Sequence, residues 1–231
     1  MNKIEIDDFK RQNNRFILDL IHHVDRDESG DYDLPLLTFQ RLSQMPEIGH
    51  CFTTRMGGVS EGIYQSLNLS FTRGDDPVHV MANYNRVASF FGVKPDCIIT
   101  SDQTHTTNVL RVGRDDAGNG VTRPRPYGDV DGLITNEPGV VLATFYADCV
   151  PLYFVDPVRK AIGLAHSGWR GTVARMGKVT VEAMQSAFGS NPEDIIAAIG
   201  PSICRDCYEV GEDVAKPFAE AFVGHEEEIL S

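Results

Sequence analysis

Between residues 97 and 199 the chain is cut into short apolar runs, and this limits its architecture more than any other feature. Residues 97–100, 109–112, 133–135, 140–147, 152–155, 161–165 and 195–199 are rich in β-branched and other apolar side chains. Each is bounded by Gly, Pro, Asp or Asn, the pattern of short strands. Helical spacing sustained over several turns is found in three places. In residues 77–91, Val80, Tyr84, Val87 and Phe91 share a face, Asp75 or Asp76 can cap the start, Pro77 suits the first turn and Gly92 ends it. In residues 172–188, Val173, Met176, Thr180, Ala183 and Ala187 form a stripe, and residues 211–230 read as a third helix despite Pro217 and Gly224. The strands come in runs rather than in strict alternation with helices. That predicts an α+β fold, a layered mixed β-sheet core flanked by helices, over a doubly wound sheet.

The first 34 residues read differently. They are polar and charge-rich, with a stretch at 16–24 that suits one or two helical turns and an acidic, Gly-containing linker at 25–33. The expected division is therefore an N-terminal extension, 1–34, and one domain, 35–231. The N-terminus carries charges throughout and no apolar run, unlike a secretory signal. The longest apolar stretch, 140–155, is broken by Asp148 and Pro151 and is no membrane span. Five cysteines, an odd number, do not make a disulfide framework, so a reducing cytoplasm is the expected compartment. With 42 % hydrophobic residues the chain can bury a core, which argues against disorder. Its 21 Lys and Arg against 33 Asp and Glu, a net charge of −12, argue against binding nucleic-acid backbone or anionic membranes.

Reactive side chains collect at three predicted strand ends, where a rigid scaffold displays functional groups. These are Asp102-Gln103-Thr104-His105, Ala147-Asp148-Cys149-Val150-Pro151 and Ala165-His166-Ser167-Gly168-Trp169-Arg170-Gly171. One Cys and two His suffice for a metal site with an open position, or equally for a thiolate nucleophile with a His base. Taken singly, each residue has a plainer reading: Cys149 as a small buried hydrophobe, His105 or His166 as a hydrogen-bonded polar group. Gly168 to Thr172 opens a helix after a strand, so its free N–H groups and the Arg170 guanidinium form a candidate anion site. It is not a G-x-x-x-x-G-K-S/T loop. Thr54 to Ser60 is a second Gly-rich turn with an arginine, Arg55. Cys204-Arg205-Asp206-Cys207 has no second Cys pair and reads as incidental.

In order along the chain these segments resemble one family. Thr54-Arg55-x-Gly57-Gly58-Val59-Ser60 runs into Gly62-x-Tyr64-x-Ser66-Leu67-Asn68-Leu69. Gln103-x-His105, Asp131-Gly132-Leu133, Ala147-Asp148-Cys149 and Ala165-His166-x-Gly168-Trp169-Arg170-Gly171 follow, then Gly200-Pro201-x-Ile203 and Tyr208-Glu209-Val210-Gly211. This series closely resembles the YfiH/YlmD family, also called the laccase-domain family, over about residues 36–211. The resemblance implies a purine nucleoside phosphorylase acting on adenosine, inosine and methylthioadenosine with inorganic phosphate, with adenosine deamination besides. It implies an α+β fold similar to that of a bacterial Cys-His deamidase toxin. It implies metal ligation by His105, Cys149 and His166, with zinc as the metal and copper as an alternative. The family pattern continues past Tyr208–Gly211 to an Arg-rich ending that the 20 residues after Gly211 do not carry, which leads to the expectation of a shortened C-terminal end.

The older laccase label meets a simple count. The chain has seven His and no His-x-His pair, too few for a mononuclear plus a trinuclear copper centre, though enough for a single copper. Within the phosphorolysis reading, Arg170 and the helix start at Gly171 are expected to hold phosphate, with Arg55 as a second cation. Asn68 and Gln103 are expected to bond sugar or base, and Asp148 is a candidate to orient a ligand. Partners are then nucleosides and phosphate, with a homodimer possible. Three other readings stay open: a metal-free Cys–His hydrolase or amidase, a single-copper polyphenol oxidase, and an inactive binding module.

Overall fold

The computed structural model describes residues 17–230, which divide into two compact units with the boundary between Pro95 and Asp96. In the first unit, β1 (Leu18–Asp27) and β2 (Gly30–Phe39) pair antiparallel in unbroken register from Leu18↔Phe39 to Asp27↔Gly30. β3 (Phe52–Thr53) adds to the far side of β2. Gly30, at φ 113, closes the hairpin in a conformation that costs glycine little. Two expectations are corrected here. Residues 18–24 are strand rather than helix, and 25–33 form the end of β1, the turn and the start of β2 rather than a linker; Phe16 lies outside the described residues. Long-range pairing with β2, which buries Leu34, Leu36, Leu37 and Phe39, overrides the weak helical spacing of the segment.

α1 (Pro77–Phe90) starts as its sequence predicts: the Asp76 carboxylate accepts the Val78 N–H at 2.8 Å, and Pro77 takes the first turn. Val87 joins Tyr32, Leu34, Leu36 and Leu67 in one core cluster. Two buried polar groups tie the unit together. Asn83, fully buried, accepts the Val59 N–H and donates to Ser60 Oγ and the Asn68 carbonyl, which fastens the Gly-rich loop to the helix. Arg86 donates from Nε to Asp27 Oδ2 at 2.7 Å and lies 4.4 Å over the Tyr32 ring.

The second unit is built on a five-stranded mixed sheet. Its members are β5 (Val109–Arg111), β6 (Gly132–Thr135), β8 (Val150–Asp156), β9 (Ala161–Ser167) and β10 (Ile196–Ile199), in the order β10-β8-β9-β6-β5. Only the β5–β6 pair is parallel. β4 (Ile98–Thr100) and β7 (Val141–Ala143) form a separate parallel pair. α2 (Trp169–Val173) follows β9, and α3 (Met176–Phe188) packs Met176 and Met184 against Ile134, Phe154, Ala161 and Ala165. α4 (Glu212–Ala221) and α5 (Glu226–Ile229) come last.

The expected strands of this unit are present, so the mixed α/β character holds, with three differences. The run expected over 140–147 pairs only at Val141–Ala143, which frees the residues leading to Cys149. The helix expected over 172–188 is two helices, because Arg175 takes a left-handed φ of 63. The helix expected over 211–230 is likewise broken between α4 and α5, where Gly224 has φ 87. Among the described residues no helix is long and apolar enough to cross a membrane.

Candidate metal centre

Strand register places the chemistry at one end of the large sheet. β8 and β9 pair Val150 with Ser167, so one further step sets Cys149 opposite Gly168. β9 and β6 pair Ala165 with Gly132, so one further step sets His166 opposite Asp131, and the His166 N–H donates to the Asp131 carbonyl at 2.8 Å. His105 comes from the loop between β4 and β5. Ligand atoms of His105, Cys149 and His166 all lie within 4.8 Å of one another, the one such cluster among the described residues. The two imidazole rings meet edge-on, with centroids 4.9 Å apart. His166 is buried, Cys149 half-buried and His105 exposed, so the cluster opens towards the surface on the His105 side.

One carboxylate underlies this arrangement. Asp131 is fully buried, and its Oδ1 receives His166 Nδ1 at 2.7 Å and the His105 N–H at 3.2 Å. Its Oδ2 receives the N–H groups of Thr104 and Thr106 at 3.0 and 2.9 Å and the Thr106 hydroxyl at 3.1 Å. Burial opposes the charge, but these donors outweigh it and hold the Asp131 carboxyl below the usual carboxylate range. The carboxylate that bonds His166 is therefore Asp131, whereas Asp148, expected in that role, is exposed. An Asp just before a strand looks like any turn residue in sequence. The signal that marks it is its register opposite His166.

Burial holds the His166 ring below the usual imidazole range despite Asp131. Burial also pushes the Cys149 thiol up, with the charges of Asp148 and Asp131 adding to the effect. Two imidazoles and one sulfur around an open position suit a borderline-soft cation such as zinc, and the charge of such an ion reverses the penalty on the thiolate. The backbone leaves room for the three groups: a Cβ at Gly168 would lie 2.6 Å from His105 Nδ1 and 3.2 Å from Cys149 Sγ. The residues present fit a metal.

The other sequence candidates are placed as follows. Both polar atoms of the Gln103 amide are committed to the backbone of Phe145: Nε2 donates to its carbonyl at 2.6 Å and Oε1 accepts its N–H at 2.7 Å. Gln103 thus braces the loop that carries His105 two residues later. Arg170 is exposed, with its guanidinium 4.2 Å over the Trp169 ring. The helix beside it starts at Trp169, not Gly171, and has five residues, too short for a strong dipole. Arg55 and Asn68 belong to the first unit. Arg55 donates to the Gln65 carbonyl at 2.7 Å, and Asn68 Nδ2 donates to Asp75 Oδ2 at 2.9 Å. Cys204 and Cys207 flank a short turn, just after Ile203, whose N–H donates to the Asp148 carbonyl.

The family described as multi-copper polyphenol oxidoreductase laccase matches residues 49–230. The chain belongs to this family. Among its relatives in the laccase-like family is the purine nucleoside phosphorylase of Deinococcus radiodurans, 44% identical over 191 residues, or 83% of this chain and 69% of that protein. The purine nucleoside phosphorylase YlmD of Bacillus subtilis is 42% identical over 167 residues, 71% of this chain and 59% of its own length. The chain thus spans between 59% and 69% of the length of these two relatives. The crystal structure of the hypothetical protein YfiH of Bacillus licheniformis superposes with a TM-score of 0.78 at 35% identity, covering 84% of this chain and 72% of that one. The crystal structure of YlmD from Geobacillus stearothermophilus gives 0.68 at 34% identity, with 82% and 64% covered. The family's description speaks of many coppers, whereas this laccase-like chain gathers one three-ligand cluster among its described residues.

Proposed function

We propose that this chain is a metal-dependent purine nucleoside phosphorylase. The observation that carries the reading is the convergence of His105, Cys149 and His166 within 4.8 Å from three separate segments. The names borne by its relatives set the reaction class. In phosphorolysis the bond from C1′ to the purine nitrogen breaks, a bond from C1′ to a phosphate oxygen forms, and the base leaves with a proton. His105, Cys149 and His166 hold the metal, zinc by donor chemistry, which supplies Lewis acidity when bound.

The protein's own groups do the rest. Gln103, through Phe145, keeps the His105 loop in place. Arg170 is exposed, and its guanidinium is already set against the Trp169 ring, so little side-chain freedom is lost when it meets a phosphate oxygen. It is the phosphate contact in this reading. Arg55 and Asn68 lie in the first unit, where each already bonds a neighbour, and the reading does not rest on them. Adenosine deamination, in which water replaces the amine at purine C6, is a second activity of the same centre in this reading. A metal-free thiolate nucleophile fits less well, because burial and the two nearby carboxylates disfavour the Cys149 thiolate.

The test is incubation with inosine and phosphate, followed by detection of hypoxanthine and ribose 1-phosphate. Both products are expected, and Cys149→Ala should abolish them together with bound metal. No hypoxanthine from the metal-loaded chain, or full turnover by Cys149→Ala, overturns the proposal. Arg170→Ala should raise the apparent KM for phosphate about tenfold or more with little change in that for inosine; an unchanged phosphate KM removes Arg170 from the site.

A further inference from the structure

We infer that Asp131 is the positioning residue of the centre, holding both histidines through one buried carboxylate and directing His166 to present Nε2. The inference rests on the metal-centre reading above and adds a residue to it. Asp131 stands opposite His166 in the β6–β9 register, and its own N–H is anchored on the Asn108 carbonyl. Five donors then converge on its two oxygens: the His166 ring, the backbone N–H groups of Thr104, His105 and Thr106, and the Thr106 hydroxyl. Every one of them belongs to a ligand or to a residue next to a ligand. An ionised carboxylate has only acceptors, so His166 must donate from Nδ1, which leaves its lone pair on Nε2.

The same carboxylate shapes the His105 loop. His105 has a left-handed φ of 66, a conformation that costs a residue with a Cβ about 1 kcal/mol or more. Three consecutive N–H groups turned inward on one carboxylate hold the loop in that conformation. Asparagine has the same shape but replaces one acceptor with an NH2 group. If that NH2 takes the Oδ2 place it faces the N–H groups of Thr104 and Thr106. If it takes the Oδ1 place it faces His166 Nδ1 and favours the tautomer with Nε2 protonated, which cannot bind metal through Nε2.

The experiment measures two things on wild type and D131N: the His166 tautomer in the metal-free protein by nitrogen-15 NMR, and zinc affinity by chelator competition. Wild type should carry the proton on Nδ1. D131N should lose that preference and bind zinc about 10- to 100-fold more weakly. Cobalt in D131N should keep the Cys149 thiolate charge-transfer band but show altered d–d bands. A cooperatively folded D131N with wild-type tautomer and zinc affinity overturns the inference. If D131N does not fold, Thr106→Val decides, since it deletes the hydroxyl bond to Asp131, with only the long 3.4 Å bond from the Asn108 N–H besides, and leaves the carboxylate in place: zinc binding weakened at least threefold supports the inference, and affinity equal to wild type overturns it. Should wild type bind no zinc, the metal-centre reading falls while the tautomer still judges Asp131.

Discussion

A methyl group added at Gly168 would enter space already filled by His105 Nδ1 and Cys149 Sγ, at 2.6 and 3.2 Å. The constraint is proximity and not backbone conformation, because Gly168 has a φ of −72 that any residue adopts. Gly168→Ala should therefore fold, with a thermal midpoint near that of wild type, yet bind metal at least tenfold more weakly and lose turnover in proportion. Metal analysis after dialysis checks this, and full metal content in the variant would show that the two ligands move aside freely. The clustering of His105, Cys149 and His166 was legible in sequence because each stands at or just beyond the end of an apolar run. Asp131 stood out only as part of the Asp131-Gly132-Leu133 segment, with no role, because what it bonds depends on which strand lies beside β6, and a pairing partner 35 residues away leaves no local trace. Gln103 was expected to bond sugar or base, and its pairing with the backbone of Phe145 could not be read ahead, since a backbone has no sequence signature.

α1 and the β1–β2 hairpin show the two sides of local information. The start of α1 is set within three residues by Asp76, Pro77 and the N–H of Val78, so its cap is readable and its loss is simple to state. Asp76→Ala should destabilise the protein by about 1 kcal/mol in chemical denaturation, with an unchanged denaturant slope. An effect under a few tenths would show that solvent replaces the cap. The strands of the second unit were equally readable, since runs such as Ala161–Ser167 are bounded by turn residues on both sides. The hairpin was not. Its first strand alternates poorly, carrying Asp19 and the pair His22-His23 among its apolar residues, and its turn is acidic like a linker. What makes it a strand is its ten-residue partner, β2. The breaks within the two C-terminal helical stretches were hidden for a related reason: Arg175 is left-handed because the chain must turn there to lay Met176 and Met184 on the sheet, and arginine does not announce such a turn.

At the scale of the whole molecule, acid should act in two separable ways. The Arg86 guanidinium, with Ser29 helping, holds Asp27 at a pKa of about 2 against the burial that opposes it, below the ordinary 3.8. A group depressed on folding stabilises the protein fully above its unfolded pKa. That contribution, at most about 2 kcal/mol, is lost as pH falls from about 4 to about 2. Asp27→Asn should be less stable than wild type at pH 7 and should lose less of its stability over that window in pH-dependent denaturation; an identical acid limb in both proteins would remove Asp27 from the account. A different event comes earlier in the titration. Among the described residues β1 pairs on one side only, so ten residues of strand edge are bordered by Asp19, Asp25, Arg26 and Asp27 rather than by another strand. Such an edge is a template on which a second molecule can grow, and charge is what discourages it. The net −12 at neutral pH keeps molecules apart, but the sequence pI is 4.9. Light scattering should therefore rise near pH 5 while circular dichroism still reads native, the mark of a protein that clumps while folded before it unfolds.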